Sequence, residues 1–142
     1  MGRKAAREIL MKVFYVYEVT GEFSFDIPDI IQDETKSNSY EDQKDYIENA
    51  MSIFIEKKDE IDKLISDNTI DWSIDRLSKV DLSIIRLAVC EMFYLNVPVK
   101  VAINEAVLLA KKYSSENAHT FINGVLGGCA KALIDENEVL GN

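Results

Sequence analysis

Arg3, Lys4, Arg7 and Lys12 stand against a single Glu8 in the first thirteen residues, a local charge of +3. Cations clustered in this way suit contact with a polyanion. A second polar stretch, Ser114-Ser115-Glu116-Asn117, precedes His119 and Phe121. Catalytic sets are lacking. His119 is the only histidine, so there is no histidine metal cluster and no triad with a second imidazole. No phosphate-binding Gly loop and no nucleophile elbow occurs. Asp59, Glu60 and Asp62 lack calcium-loop spacing and read as a solvated helical face. Cys90 and Cys129 have no C-x-x-C spacing and read as buried free thiols in a reducing cytosol. These residues predict a binding protein with no cofactor, not an enzyme.

Net charge is −9, which by itself opposes a nucleic-acid partner. Its distribution is uneven. Residues 14–96 hold eight basic and nineteen acidic side chains, or −11, whereas residues 97–134 carry Lys100, Lys111, Lys112 and Lys131 against Glu105 and Glu116, or +2. Residues 135–142 add −3. Basic ends and an acidic middle predict one face for a polyanion and another for a basic partner.

The chain that must position these groups is helical throughout. Pro98 stands where a helix begins. After it, Ile103, Ala106, Val107 and Ala110 recur at i, i+3, i+4, i+7, and Ala118, Phe121, Ile122, Val125, Leu126 and Cys129 repeat that spacing beyond the break. The result is an αα-hairpin whose apolar stripes the upstream chain must cover. By this periodicity Phe121 also reads as core, and His119 as a polar helix-start residue. Asn123 is expected to bond a neighbouring helix, with Gly124, Gly127 and Gly128 allowing close backbone approach.

A first helix from about Arg3 to Val19 buries Ala6, Ile9, Leu10, Val13, Phe14 and Tyr17. Arg3 and Arg7 lie at one margin of that stripe, with Lys4 further round. Basic residues in a first turn oppose the helix dipole, a cost of a few tenths of a kcal/mol each, and read equally as a solubilising arm or as a contact beyond folding. Gly21 ends this helix. Residues 22–38 carry a small apolar cluster around Pro28 and predict a short helix on a loop. Ser39 with Asp42 caps a long helical stretch bearing Tyr46, Ile47, Ala50, Met51 and Phe54, with a bend near Lys58-Asp59 and a stop at Asn68. Ser73 caps a single turn, and Ser78 with Asp81 caps a full helix carrying Ile85, Ala88, Val89, Met92 and Leu95. The prediction is an all-α single domain, 1–142, of about seven helices. Its halves are about 1–70 and 71–135, with a short acidic tail at 136–142. No stretch reaches the length of a membrane span, and no export signal is present.

Three segments carry a family resemblance: V-P-x-K-V-A-I-N-E-A from Val97, F-I-N-G-V-L from Phe121, and L-S-K-V-D-L-S-I-I-R-L-A-V-x-E-M over Leu77–Met92. Together they resemble the NusB family of bacterial transcription antitermination factors. The likeness is strong over Trp72–Leu133 and moderate over the first twenty residues; residues 21–70 share only helical character. Related signatures occur in the N-terminal domain of a ribosomal-RNA cytosine methyltransferase family. Only nine residues follow Leu133 here, too few for its cofactor domain.

The resemblance implies a compact NusB-like helical fold in the cytoplasm. The implied ligand is boxA-type single-stranded RNA of ribosomal or leader transcripts. The implied co-ligand is NusE, a small-subunit ribosomal protein, in a complex on RNA polymerase with other Nus factors. It assigns RNA contact to Arg3, Lys4, Arg7, Asn117, His119 and Phe121, with Lys111 adding charge nearby. Arg3, Lys4, Arg7 and Glu8 match an arginine-rich start, R-R-x-A-R-E, with lysine replacing one arginine and its bidentate fork. It assigns partner contact to Tyr15, Asp75 and Asp81, the acidic pair suiting a basic protein; Asp81 also reads as a cap. Neutralising three to five phosphates gives a salt slope of only about −2 to −3.5, so RNA binding alone is expected to be weak and to tighten with the partner. The competing reading is a helical protein-interaction module of the same fold without specific RNA binding. A homodimer is a further possibility.

Overall fold

In the computed structural model of the chain, the described residues are 2–22, 41–69, 74 and 77–141, with side chains described as far as Asp135. They form five helices and no strand: α1 Gly2–Thr20, α2 Lys44–Asp67, α3 Lys79–Tyr94, α4 Val99–Tyr113 and α5 Ala118–Gly141. The all-α expectation holds. The short helices expected over 22–38 and at Ser73, and the cap at Ser39, fall outside the described residues apart from an edge position.

Local signals set the helix ends. The Ser78 hydroxyl accepts from the Asp81 amide at 3.0 Å and starts α3. Pro98 precedes α4, and its carbonyl accepts from the Ala102 amide at 3.0 Å. Gly21 closes α1 with φ +80°, a conformation that favours glycine, while its amide bonds the Tyr17 carbonyl at 2.7 Å. Asn68 ends α2 and returns its side-chain amide to the Leu64 carbonyl at 2.9 Å. Between α3 and α4, Asn96 takes φ +57°, the left-handed conformation that asparagine tolerates best after glycine.

The helix is not broken at Lys58-Asp59; α2 runs through it as one element. Phe54, Ile61 and Ile65 are spaced i, i+7, i+11, so the apolar stripe stays in register across the gap. Lys58 and Asp62 bridge that gap at i, i+4, 3.0 Å apart.

The hub is α3, not the hairpin. It packs against all four other helices, and every residue from Leu82 to Met92 is buried. A helix buried all round needs apolar residues all round. The two charged exceptions, Arg86 and Glu91, are both ion-paired. α1 lays Ile9, Leu10, Val13 and Phe14 against this hub. Phe14 stacks on Phe54 of α2 at 4.4 Å, and Tyr17 meets the same ring edge-on at 5.7 Å. α4 and α5 form the expected hairpin, covering α3 with Ala102, Ala106, Ala110, Ile122, Val125, Leu126 and Cys129. Both cysteines are free and buried; burial pushes the thiols up, that of Cys129 to about 12. Among the described residues no helix is long and apolar enough to cross a membrane.

The three hairpin glycines do not share one reason. A Cβ at Gly128 would lie 3.0 Å from Asn68 Cγ and closer still to its Oδ1, so a side chain here would displace Asn68 from the α2–α5 contact. A Cβ at Gly124 or Gly127 meets nothing within 4 Å, which corrects the close-approach expectation there. Asn123 is also exposed, with no side-chain bond to another helix among the described residues. Urea denaturation is therefore expected to separate them. Gly124→Ala and Gly127→Ala should each raise stability by up to about 1 kcal/mol from helix propensity, whereas Gly128→Ala should lower it by about 1–3 kcal/mol. Equal effects at all three positions would disprove the distinction.

Candidate nucleic-acid interface

α1 runs alongside α4 in the same direction, joined by a ladder of ion pairs. Lys4 Nζ meets Glu105 at 3.2 Å, and one turn on Lys112 Nζ meets Glu8 at 2.5 Å. The hydrogen bond and charge of Glu8 raise the Lys112 pKa. Beyond them, Lys12 lies 5.7 Å from the centre of the Tyr113 ring. The register follows from sequence: Lys4 and Glu8 are i, i+4, and Glu105 and Lys112 are i, i+7, so each pair occupies one helical stripe. The lysine facing α1 is accordingly Lys112. Lys111 is exposed and makes no ion pair to α1 among the described residues.

Arg3 and Lys4 lie on the surface at the start of α1. Arg3 is not loose there. Its guanidinium lies over the Tyr46 ring at 3.8 Å, and its Nε donates to Gln43 Oε1 at 2.6 Å. That hydrogen bond uses one of the five guanidinium donors. Lys4 keeps 65% of its side chain exposed despite Glu105.

Arg7 is different. It is 6% exposed, and its Nε donates to both Glu91 oxygens, at 2.9 and 3.2 Å. Tyr46 donates its hydroxyl to the same carboxylate. Burial, then the Glu91 charge, pushes the Tyr46 phenol up, which keeps it a donor. Glu105 approaches Arg7 at 3.9 Å. The sequence assignment of Arg7 to an RNA surface meets a buried cation committed to Glu91. Arg7 ties α1 to α3, and through Tyr46 the same carboxylate fixes the ring on which Arg3 rests. Tyr46, Gln43 and Glu91 are the residues that sequence reasoning missed here.

At the other end of the α1–α4 seam, Met11, Lys12, Tyr15, Val80 and Tyr113 line a shallow hollow. Tyr15 is 40% exposed, as its place off the apolar arc predicts. Next to Val80, the Asp81 carboxylate accepts from the Ser114 hydroxyl, which holds the end of α4 against the start of α3. A second hollow joins Asp81 to Leu77, Ser78, Asn117 and Phe121. Phe121 is only half-buried, so its ring belongs partly to the core and partly to this hollow. The structure thus brings Tyr15, Asp81, Asn117 and Phe121 to one end of the molecule. Arg3 and Lys4 lie about 12 Å further along α1, at 1.5 Å per residue from Lys4 to Lys12.

His119 faces the other way. Its Nδ1 lies 3.1 Å from the Glu116 carbonyl, and it lines a groove between α4 and α5 with Lys100, Ile103, Asn104, Val107 and Asn123. The sequence-assigned residues therefore fall in three places: the α1 start, the Asp81–Phe121 hollow, and the mouth of the α4–α5 groove. Asp75 lies outside the described residues.

Comparison with known proteins agrees with this architecture. The chain is 43% identical over 127 residues to the transcription antitermination protein NusB of Thermoanaerobacter sp. (strain X514), covering 89% of each. Its structure is similar to that of T. maritima NusB, with a TM-score of 0.76 and 32% identity over 91% of this chain and 90% of that one. It is also similar to NusB in a crystal structure of the antitermination factors NusB and NusE with double-stranded RNA, with a TM-score of 0.72, 28% identity, and coverage of 92% and 97%. The match to the NusB family itself runs over residues 4–131, from the basic start of α1 through the glycine-bearing α5, and the chain belongs to that family.

Proposed function

We propose that this protein is a transcription antitermination factor. It binds boxA-type single-stranded RNA jointly with a NusE-type ribosomal protein, within a complex on RNA polymerase in the cytoplasm. The observation that supports this reading is the succession of Arg3 and Lys4 at the start of α1, the α1–α4 ion pairs, and the two hollows that hold Tyr15 and Asp81–Phe121. A relative of the same fold has been crystallised with NusE and double-stranded RNA, which supports binding of RNA together with a NusE-type partner. Arg3 and Lys4 pair phosphates, Asn117 reads a base edge and Phe121 offers a stacking face. Lys111 and His119 act where the RNA passes the hairpin turn. Tyr15 and Asp81 meet the protein partner at the neighbouring hollow, and Asp75 adds a second carboxylate toward that basic protein. Arg7 acts from beneath as the anchor of α1. On this reading the protein is not an enzyme; it supplies a binding surface.

The commitment of Arg7 to Glu91, with the −9 net charge, also favours the second reading, a protein-interaction module without specific RNA binding. Fluorescence anisotropy of a boxA-like RNA, with and without the NusE-type protein, distinguishes them. The expected result is weak binding alone and at least tenfold tighter binding with the partner, about 1.4 kcal/mol of coupling. Arg3→Ala with Lys4→Ala should weaken RNA binding by the two-protein complex about tenfold while leaving protein–protein association intact. Absence of RNA binding in every condition, beside an intact protein pair, would establish the interaction module instead.

A further inference from the structure

The basic side chains beside the α1–α4 seam and on the α4–α5 hairpin divide into two sets. Those facing the α1–α4 seam are engaged: Lys4 with Glu105, Arg7 with Glu91, and Lys112 with Glu8. Lys100, Lys111 and Lys131 are exposed and have no ion-pair partner among the described residues. These three share the outer face of the α4–α5 hairpin. On α4, Lys100, Asn104, Val107 and Lys111 follow i, i+4, i+7, i+11; on α5, Thr120, Asn123, Gly127 and Lys131 follow i, i+3, i+7, i+11. The groove between the stripes has an apolar floor that includes Ile103 and Val107, with Asn104, His119 and Asn123 along it and Lys100 at one end.

Two features of α5 have no explanation inside the molecule. Asn123-Gly124 and Gly127 stand mid-helix on its exposed side, where each glycine costs about 1 kcal/mol against alanine. A side chain there would touch nothing. Glycine leaves the helix backbone bare to whatever lies along it. Two unpaired lysines about 16 Å apart on α4, at 1.5 Å per residue, beside amide and imidazole groups and an apolar floor, are complementary to a polyanion that also offers flat faces and polar edges. That description fits a nucleic-acid strand better than an acidic helix, which would leave Asn104, Asn123 and His119 without use. The groove opens at His119, two residues from Asn117.

We propose that the α4–α5 groove binds the single-stranded RNA that flanks the element held at the Asp81–Phe121 end, so that the RNA site turns the corner of the hairpin and continues along its outer face. Lys100, Lys111 and Lys131 pair its phosphates, and Asn104, Asn123 and His119 contact its bases. This inference rests on the antitermination reading for the position of the RNA.

The test compares two RNAs bound to the protein with its NusE-type partner: the boxA-like element alone, and the element extended by six nucleotides at either end. Wild-type protein should bind one extended RNA at least fivefold tighter than the short one. Lys100→Glu with Asn123→Glu should abolish that gain and leave short-RNA affinity and melting temperature unchanged. If the double variant melts lower, Lys131→Glu alone, at an exposed position, should halve the gain or more. No gain in wild type, or the same gain in the variants, overturns the groove proposal and leaves the antitermination reading standing. Loss of protein–protein association in the groove variants without RNA overturns it in favour of a protein occupant. Extended RNA bound through Lys100 while short RNA is not bound supports the groove and overturns the boxA site. Binding of neither RNA overturns both.

Discussion

Replacing Glu91 with alanine is expected to destabilise the protein by about 3–5 kcal/mol, the usual cost of stranding a buried charge. Glu91 is 1% exposed and holds both Arg7 and the Tyr46 hydroxyl. Without it, the Arg7 guanidinium stays buried with only Glu105, 3.9 Å away. Tyr46 loses its acceptor as well, an additional cost of about 1–3 kcal/mol if no water replaces it. In urea the midpoint should fall with an unchanged slope. Glu91→Gln, which keeps an acceptor oxygen but not the charge, should fall between. The decisive variant is Arg7→Met combined with Glu91→Leu: with neither charge present, the loss should be smaller than in Glu91→Ala. A double variant as unstable as the sum of the singles would show that the residues do not act as a pair. The consequence for function is direct. Mutating Arg7 to test RNA binding would report on folding, whereas Arg3 and Lys4 can be changed without disturbing this pair.

The periodic features were legible in the chain itself. Ala6, Ile9, Leu10, Val13 and Phe14 repeat at helical spacing and are buried; Ser78, Pro98, Gly21 and Asn68 mark ends where end-marking residues stand. Features depending on contacts between distant segments were hidden. Arg7 lies at the margin of the α1 stripe, and nothing within α1 shows whether a margin position faces water or a carboxylate 84 residues away. Asp62 sits among Asp59 and Glu60 as if on a solvated face, yet it is the partner of Arg86. Lys111 and Lys112 are adjacent, so choosing between them required the register of α4 against α1. Gly128 and Gly127 differ in the same way. Only the position of Asn68 on α2 separates a glycine in contact from one in open space.

Asp62→Ala is expected to cost as much as the Glu91 substitution, about 3–5 kcal/mol, for the same physical reason in a different place. Arg86 is 3% exposed and donates to Asp62 through Nε and Nη2, both at 2.9 Å, and to Glu18 through Nη1 at 2.7 Å. Its guanidinium lies 5.4 Å from the centre of the Phe54 ring. Burial alone lowers the Arg86 pKa, and the hydrogen bonds and charges of Asp62 and then Glu18 more than reverse this. Asp62 supplies the two-pronged contact and also takes Lys58 Nζ at 3.0 Å, so its removal leaves Glu18 alone to compensate a buried cation. Glu18→Ala should cost less, about 1–2 kcal/mol, because Asp62 still holds the guanidinium from two sides. Arg86→Lys keeps the charge but loses the planar fork, so it too should be clearly destabilising. The predicted order is Asp62→Ala worse than Glu18→Ala, read as urea midpoints at neutral pH. An inverted order would mean that Glu18 is the partner that matters. One guanidinium on α3 thus joins α1 through Glu18 to α2 through Asp62, while Glu91, five residues on, joins the same helices through Arg7 and Tyr46. Two buried ion pairs on the hub fix α1 at both ends. With α1 so fixed, Arg3 and Lys4 are held at the surface by Gln43, Tyr46 and Glu105, and a phosphate meets them through their remaining donors.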